Sequence, residues 1–278
     1  MKIAAAQTNV SACVSANGTA IRGMIADAAA EEVRLINFCE GALSGYGKFQ
    51  ITKPDDWATF DWAIQETELR AIAELCRQLR IFAVVGGAHR LSAGYPPHNS
   101  LYVFSDAGTL LTRYDKRFLS NSELGGWYTP GTEPVTFKVD DCDFGCAICI
   151  ESQFAEVFSE YERLGVDGVI FSSYGIATDF QIALQAHAGL NCIWISAATP
   201  AQKAHKGPAG IIGPDGKWSA RCFDFPEPGF ATAVLDRSDP AYDIPIQKAR
   251  PWRSEARKGE IYRTRMTNDP RSRNRSGY

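Results

Sequence analysis

The sequence lacks the short motifs that would assign it to several common enzyme classes. No Gly-x-Gly-x-x-Gly follows a predicted strand, no Gly-x-Ser-x-Gly elbow is present, and the four histidines show no His-Glu-x-x-His spacing. These absences argue against dinucleotide binding, against the usual serine-hydrolase arrangement and against a catalytic metal. We therefore expect a protein that works without a cofactor.

The chain also carries little excess charge. It has 29 Lys and Arg against 32 Asp and Glu, a formal net charge of -3. A protein that binds a phosphate backbone normally shows a clear basic excess, so we expect no nucleic-acid partner. The balance is uneven along the chain, because residues 237–278 hold 11 Lys and Arg but only 5 Asp and Glu.

Long apolar runs are missing as well. The longest uncharged stretch, residues 180–202, has polar side chains on all sides and predicts a helix followed by a strand, so no membrane association is expected. The apolar run at residues 3–7 is too short for a signal-peptide core. Together with eight irregularly spaced cysteines, which suit reduced thiols, these features predict a cytoplasmic protein.

The hydrophobic pattern that is present predicts an α/β fold, since short runs rich in Val and Ile alternate with longer amphipathic stretches. The predicted strands are residues 3–7, 35–39, 82–86, 145–149, 168–172 and 192–197. The predicted helices are residues 19–32, 64–79, 154–164 and 178–190, the last with Thr178 as its N-cap. Turn residues within 100–114 and 209–223 predict two antiparallel hairpins, and a sheet of this mixed kind needs another layer, which a second sheet would supply.

The organisation into domains follows from the absence of breaks. No internal repeat and no Pro/Ser-rich linker divides residues 1–236, which predicts one domain. Residues 237–278 have little apolar periodicity and form a basic C-terminal extension. We expect this extension to be partly packed on a partner surface and partly disordered.

A reactive cysteine is the strongest chemical signal from the residues alone. Cys149 ends a predicted strand immediately before a predicted helix, where backbone N–H groups and the positive helix end favour a thiolate and a nearby oxyanion. Taken by itself, Cys149 is better explained as a buried structural thiol, and Cys146 and Cys149 could also form a redox or zinc pair. Because Glu40 and Lys116 also end strand-like runs, where α/β sites form, the balance moves towards catalysis.

Three segments, in order, resemble those of the nitrilase superfamily of carbon-nitrogen hydrolases. They are Glu40 followed by four residues and Gly-Tyr, the run Tyr-Asp-Lys116-Arg-Phe-Leu, and the run Ile-Cys149-Ile-Glu with Phe-Ala-Glu three residues later. The likeness extends from the first strand to the strand that ends near Leu235. It implies a four-layer α-β-β-α sandwich, with two mixed sheets flanked by helices, and a catalytic triad of Glu40, Lys116 and Cys149.

The resemblance also implies a role for each member of the triad. Glu40 is expected to remove the thiol proton from Cys149, to protonate the departing amine and then to activate water. Lys116 and the backbone N–H of Ile150 are expected to hold the oxyanion. The catalytic cycle then needs only one acid-base group.

Further site residues are predicted with alternatives. Glu123 stands where the family often has a second glutamate that orients the lysine, although it could be an exposed loop carboxylate. Three aromatic residues are predicted either to line the substrate pocket or to belong to the core: Tyr46, Trp127 and Tyr174.

The predicted substrate is a small linear amide or an N-carbamoyl compound, hydrolysed through a thioester with release of ammonia. Ile150 stands where true nitrilases usually carry Trp, which favours an amide over a nitrile. Nitrile hydrolysis is the nearest alternative, and a silent member that only binds a metabolite or a partner is another. Cys39, Glu151, His187 and Ala209 depart from common family residues without touching the triad.

The family resemblance finally implies a homodimer or a higher homo-oligomer. The basic extension supplies apolar side chains that could anchor it to a neighbouring subunit, at Ile244, Ile246, Trp252 and Ile261. The alternative is a monomer with a solvated tail.

Overall fold

The computed structural model describes residues 1–277, in two compact units that meet at the Asp236–Arg237 boundary. The first unit contains all of the strands found in the described residues. These are β1 (Lys2–Thr8), β2 (Leu35–Asn37), β3 (Phe82–His89), β4 (His98–Phe104), β5 (Leu110–Asp115), β6 (Thr136–Val139), β7 (Cys142–Ile148), β8 (Gly168–Ser172), β9 (Trp194–Pro200), β10 (Gly210–Ile212), β11 (Trp218–Arg221) and β12 (Gly229–Val234).

Four longer helices accompany the strands, and shorter ones follow in the second unit. The α-helices are α1 (Val14–Ala30), α2 (Trp62–Leu79), α3 (Ala155–Arg163), α4 (Thr178–Asn191), α5 (Arg250–Lys258), α6 (Glu260–Arg263) and α7 (Pro270–Arg273). Short 3-10 turns span Pro54–Ala58, Cys149–Gln153, Ala201–Lys206 and Pro240–Tyr242, and a π-helix spans Asp243–Ala249.

The strands form two mixed sheets. The first has the order β5-β4-β3-β2-β1-β12, and the second has the order β6-β7-β8-β9-β10-β11. A short parallel pairing of Gln7 and Thr8 with Thr199 and Pro200 connects them. The pairings make β1, β2, β3, β5, β7, β8 and β9 run in the same direction. Their carboxyl ends therefore lie at the same edge of the molecule, where α/β proteins form their sites.

The two sheets face each other and each is covered by helices on its outer side. Between them, Nδ2 of Asn37 donates to the carbonyl oxygens of Phe171 and Ser196 at 2.9 Å each, and the Ser172 hydroxyl donates to Oδ1 of Asn37 at 2.9 Å. Apolar residues of α1 and α2 share one core with β1, β2 and β3, whereas those of α3 and α4 share another with β8 and β9. This confirms the predicted α-β-β-α arrangement.

The predicted elements exist, but several boundaries were wrong. Thr178 is the first helical residue of α4, and its N-cap is Ala177, which makes no side-chain capping bond. The second strand ends at Asn37, and β7 ends at Ile148 because Cys149 leaves the extended conformation. Helix α1 begins at Val14, earlier than predicted. Both predicted hairpins are present, as β4–β5 and β10–β11.

The unit from Arg237 onward is more helical than its sequence pattern predicts. Its helices are strongly polar, and Ile246 is its only buried residue among those described. Tyr278, the last residue of the predicted extension, lies outside the described residues. Across residues 1–277, no helix is both long and apolar enough to span a bilayer, and residues 180–202 fold into α4 and β9.

Candidate active site

Four of the predicted site residues follow strands that end at the shared edge. Glu40 comes shortly after β2, Lys116 directly after β5, Cys149 directly after β7 and Tyr174 shortly after β8. The backbone around Glu40 approaches β3 closely, because a Cβ atom on Gly86 would collide with the carbonyl oxygen of Cys39. Only glycine allows this approach, which places the glutamate over the sheet edge.

Glu40, Lys116 and Glu123 form one fully buried cluster. Nζ of Lys116 lies 2.9 Å from Oε1 of Glu40 and 2.9 and 3.0 Å from the two carboxylate oxygens of Glu123. The backbone N–H of Tyr174 donates to Oε2 of Glu40 at 2.9 Å, and that of Ser120 donates to Oε2 of Glu123 at 2.7 Å. Glu123 is therefore not an exposed loop carboxylate.

The charges in this cluster stabilise one another. Burial alone would lower the pKa of Lys116, but the negative charges of Glu40 and Glu123 oppose burial, and the pKa is raised above its usual value. Burial would likewise raise the pKa of Glu123, but the charge and hydrogen bonds of Lys116, with donors from Ser120, lower it. Lys116 is consequently a permanent cation and Glu123 a permanent anion at neutral pH.

Cys149 is close enough to interact electrostatically with all three members of this cluster, and its backbone is strained. Its φ of 52° is in the left-handed region, which costs a residue with a side chain roughly 1 to 3 kcal/mol. It begins the 3-10 turn Cys149–Gln153, with Ile150 as the second residue, and both are partly exposed. The strained turn ends β7 abruptly and presents the thiol at the sheet edge.

Opposing influences set the protonation state of the Cys149 thiol. Burial and the negative charge of Glu40 raise the pKa of Cys149 to about 12, although Lys116 and a hydrogen bond with Ser173 lower it. The next α-helix along the chain, α3, begins only at Ala155, so Cys149 does not lie at its N-terminus. The thiol is protonated at neutral pH, and a nucleophilic role requires a base.

The aromatic residues predicted for the pocket differ in their positions. Tyr46 is buried, stacks on Tyr174 with ring centroids 4.8 Å apart, and donates its hydroxyl to Oε1 of Glu123 at 3.3 Å. Tyr174 also holds Glu40 through its backbone. Trp127 touches the cluster only indirectly, since its backbone N–H donates to the carbonyl oxygen of Glu123 at 3.1 Å and its ring lies near Gly47.

The role of Glu151 was not predicted from the sequence, in which this residue is only a departure from a common Asp. This fully buried carboxylate accepts bonds of 2.7 to 3.0 Å from the backbone N–H groups of Ile148, Arg117 and Phe118 and from the hydroxyl of Tyr114. Glu151 therefore joins the residue before Cys149 to the residues on both sides of Lys116. Long-range contacts of this kind leave no signal in the spacing of motifs.

Asn99, within β4, was also missed. Its Nδ2 group donates to Oε1 of Glu40 at 2.7 Å and to Oε1 of Glu123 at 3.4 Å. Its backbone carbonyl accepts the N–H of Lys116 at 2.8 Å. One buried amide thus contacts all three members of the charged cluster.

A family model for carbon-nitrogen hydrolases matches residues 2–241. The chain belongs to this family. The chain is similar to omega-amidases and, in fold, to an amidase of the nitrilase superfamily. The matched range includes Glu40, Lys116, Glu123 and Cys149.

Curated relatives of this hydrolase are omega-amidases. Omega-amidase NIT2 of Homo sapiens is 24% identical over 213 residues, which cover 72% of this chain and 75% of the relative. Omega-amidase NIT2 of Danio rerio is 22% identical over 267 residues, covering 90% of this chain and 94% of the relative.

Solved amidase structures share the fold. A structure of the Nesterenkonia AN1 amidase, from the nitrilase superfamily, superposes with a TM-score of 0.77 at 18% identity and covers 96% of this chain and 97% of that one. Another structure of that amidase shows acrylamide added at its active site cysteine. It also superposes with a TM-score of 0.77 at 18% identity, and it covers 96% of this chain and 100% of that one. The similarity supports the sandwich architecture of this hydrolase.

His187, another departure from the common family pattern, is a packed residue in this hydrolase. Its ring stacks on Phe158 with centroids 4.1 Å apart, and Nε2 lies 2.9 Å from the carbonyl oxygen of Ser152. Burial lowers the pKa of His187, so the ring is neutral and donates its Nε2 proton to that carbonyl. The contact braces the turn that Cys149 begins.

Proposed function

We propose that the chain hydrolyses the carbon-nitrogen bond of a small linear amide or N-carbamoyl compound through a thioester on Cys149, with release of ammonia. The observation that carries this proposal is the buried cluster of Glu40, Lys116 and Glu123 next to a partly exposed thiol. A buried cation held by two carboxylates beside a cysteine suits the binding of an oxyanion. The omega-amidase activity named for its relatives agrees with an amide substrate.

The first step is removal of the thiol proton by Glu40. With a pKa of about 12, Cys149 carries its proton at neutral pH and needs a base to attack a carbonyl carbon. Oε1 of Glu40 already accepts bonds from Lys116 and Asn99, whereas among the described residues the one bond given to Oε2 comes from the backbone N–H of Tyr174. Since each carboxylate oxygen has two acceptor sites, Oε2 is the oxygen with capacity for the Cys149 proton.

The remaining steps use the same groups. The sulfur forms a bond to the carbonyl carbon, and the oxygen becomes an oxyanion stabilised by Lys116 and the backbone N–H of Ile150. As the carbon-nitrogen bond breaks, Glu40 returns the proton to the leaving nitrogen, and the thioester remains. Glu40 then takes a proton from water, whose oxygen attacks the thioester, and the sulfur leaves with that proton.

Ammonia release from a panel of short amides, N-carbamoyl compounds and nitriles tests the proposal. We expect turnover of at least one amide or carbamoyl compound, and a loss of about 10⁴-fold or more in Cys149→Ala. Cys13→Ala is the matched control, because Cys13 is an exposed free thiol. Turnover of nitriles alone would contradict the proposed substrate class, and full activity in Cys149→Ala would contradict the proposed nucleophile.

We also propose that the protein forms a homodimer or higher homo-oligomer to which the unit from Arg237 onward contributes. In this unit Ile244 and Trp252 are 68% and 61% exposed, which leaves large apolar side chains available for another subunit. Sedimentation of the full chain and of a chain ending at Asp236 tests this. A monomer of 30.5 kDa that the truncation leaves monomeric would contradict it.

A cytoplasmic location also stays a proposal. All eight cysteines are free thiols in the structure, which suits a reducing compartment. Localisation of a tagged full-length chain by fractionation tests it, and recovery in an extracellular or periplasmic fraction would contradict it.

A further inference from the structure

Asn99 occupies a position between the two carboxylates that hold Lys116. Its side-chain nitrogen and Nζ of Lys116 both contact Oε1 of Glu40 and Oε1 of Glu123, at distances from 2.7 to 3.4 Å. The four atoms form a closed ring of two donors and two acceptors. Asn99 is 2% exposed, so water does not readily replace it.

The chemistry of the neighbours fixes how the amide is oriented. Both groups that face it are carboxylate oxygens, which accept hydrogen bonds and repel another carbonyl oxygen. The NH₂ end of Asn99 must therefore point into the cluster. Because Asn99 is a neutral donor, it can bind both carboxylates without being repelled by Lys116, whereas a second cation at this position would be repelled.

Simple satisfaction of buried oxygens does not explain Asn99. Lys116 already donates to both carboxylates, and backbone N–H groups of Tyr174 and Ser120 donate to the second oxygen of each. What Asn99 adds is specific, since it fills the second acceptor site on Oε1 of Glu40. The capacity that remains lies on Oε2.

We infer that Asn99 is a positioning residue for the general base, holding Glu40 and Glu123 around Lys116 and directing proton transfer to Oε2 of Glu40. This inference rests on the proposed role of Glu40. Asn99 also fixes the start of the Lys116 segment, because its carbonyl oxygen accepts the backbone N–H of Lys116 at 2.8 Å. Because Asn99 lies in β4, this one strand contacts the proposed base Glu40, the cation Lys116 and the second carboxylate Glu123.

Alkylation of Cys149 by iodoacetamide, followed by mass spectrometry between about pH 4 and pH 9, tests this without knowledge of the substrate. We expect Asn99→Ala to slow alkylation about ten- to a hundredfold, because a hydrogen bond to a charged group is lost. In a plot of alkylation rate against pH, the acidic limb is the range in which the rate falls because the base is protonated. The midpoint of this limb should move to a pH about one to two units higher in Asn99→Ala, because the ionised base loses a hydrogen-bond donor. The isosteric Asn99→Asp should show the same upward movement.

Asn17→Ala is the matched control. Asn17 is also 2% exposed, and its Nδ2 donates two bonds of 2.9 Å to the backbone carbonyls of Ser11 and Leu43 rather than to carboxylates. Its loss should lower the melting temperature and leave the acidic limb in place. A melting temperature lowered in Asn99→Ala with an unmoved limb would overturn the inference, because that is the signature of a purely structural residue.

One further variant, Glu40→Gln, separates this inference from the proposed function. Glu40→Gln should abolish the acidic limb, and a limb that persists would overturn the role of Glu40 and the inference together. A limb lost in Glu40→Gln but unmoved in the Asn99 variants would overturn the inference alone. If Asn99→Ala does not fold, Asn99→Asp replaces it in the test, because it preserves the side-chain volume. An acidic limb at the wild-type pH in Asn99→Asp would then overturn the positioning role of Asn99.

Discussion

The molecule contains two sets of fully buried carboxylates that are stabilised in different ways. Glu40 and Glu123 surround a buried cation, Lys116. Glu151, two residues after Cys149 in the chain, is held by three backbone N–H groups and a tyrosine hydroxyl, all of them neutral donors. Both arrangements satisfy the oxygens, but only the first provides a charge partner at hydrogen-bond distance.

The difference appears in the direction of the pKa shifts. The charge and hydrogen bonds of Lys116 overcome burial and lower the pKa of Glu123, whereas burial outweighs the neutral donors and raises the pKa of Glu151. A buried cation therefore keeps a carboxylate ionised, while neutral donors mainly fix its position. We conclude that the same side chain can serve proton chemistry or scaffolding, according to its donors.

The sharpest way to break this comparison is to remove the cation. Lys116→Met leaves Glu40 and Glu123 buried without a partner, which should cost about 3 to 5 kcal/mol of the free energy of unfolding. Loss of the proposed oxyanion contact should lower the rate about 10³-fold or more. Urea unfolding and ammonia release measure the two effects.

Lys138→Met is the control for this change. Lys138 is 60% exposed and pairs with Asp143 at 3.4 Å, an ion pair worth at most about 1 kcal/mol. Equal losses of stability in the two variants would show that the buried cation has no special role.

Replacing the scaffolding carboxylate should have a smaller effect. Glu151→Gln puts an NH₂ group in place of one oxygen, so at least one donor among Ile148, Arg117, Phe118 and Tyr114 loses its acceptor. We expect a loss of about 1 to 3 kcal/mol in the free energy of unfolding and a fall in turnover of about tenfold, since the residues beside Cys149 and Lys116 shift. A stable Glu151→Gln protein with unchanged turnover would contradict this.

The pH dependence of stability should have opposite signs at the two sites. The lowered pKa of Glu123 contributes stability above its usual value of 4.5, and this is lost as the pH falls through its folded pKa. The destabilisation caused by Glu123→Gln should therefore shrink at acidic pH. The raised pKa of Glu151 removes stability as the pH rises past 4.5, so the destabilisation caused by Glu151→Gln should be largest at acidic pH. Urea unfolding over a pH series measures both, and parallel trends would contradict the assignment.

Much of the fold could be predicted from the sequence. Strand and helix patterning predicted the α/β fold and a second sheet. The family resemblance of three segments implied the four-layer sandwich and selected Glu40, Lys116 and Cys149, which follow strands that run in the same direction. How far the pKa of Cys149 is raised could not be predicted, because it reflects the sum of burial and several charges that the fold assembles.

The contacts of Asn99 and Glu151 were also beyond the sequence. Asn99 lies inside a strand with no motif around it, and its partner Glu40 is 59 positions away in the chain. Glu151 joins backbone groups more than 30 positions apart, which depend on how β5 and β7 end. These roles depend on where the two residues lie in the folded structure, whereas sequence patterning predicts only the strands and helices.

The smallest expected effect concerns His187, which like Glu151 is a buried ionisable group with a neutral partner. Like Glu151, it should disfavour its charged form, because burial lowers its pKa below the usual 6.5. The unfolded chain then binds a proton more readily, so His187 makes the protein less stable as the pH falls below about 6.5. His187→Gln should cost about 1 kcal/mol at neutral pH through the lost ring stacking and hydrogen bond, and should weaken the loss of stability between about pH 7 and pH 5. The exposed His205 is the control, since His205→Gln should leave that slope unchanged. A slope in His187→Gln equal to that of the wild type would mean that neutral partners do not hold this ring in its uncharged form.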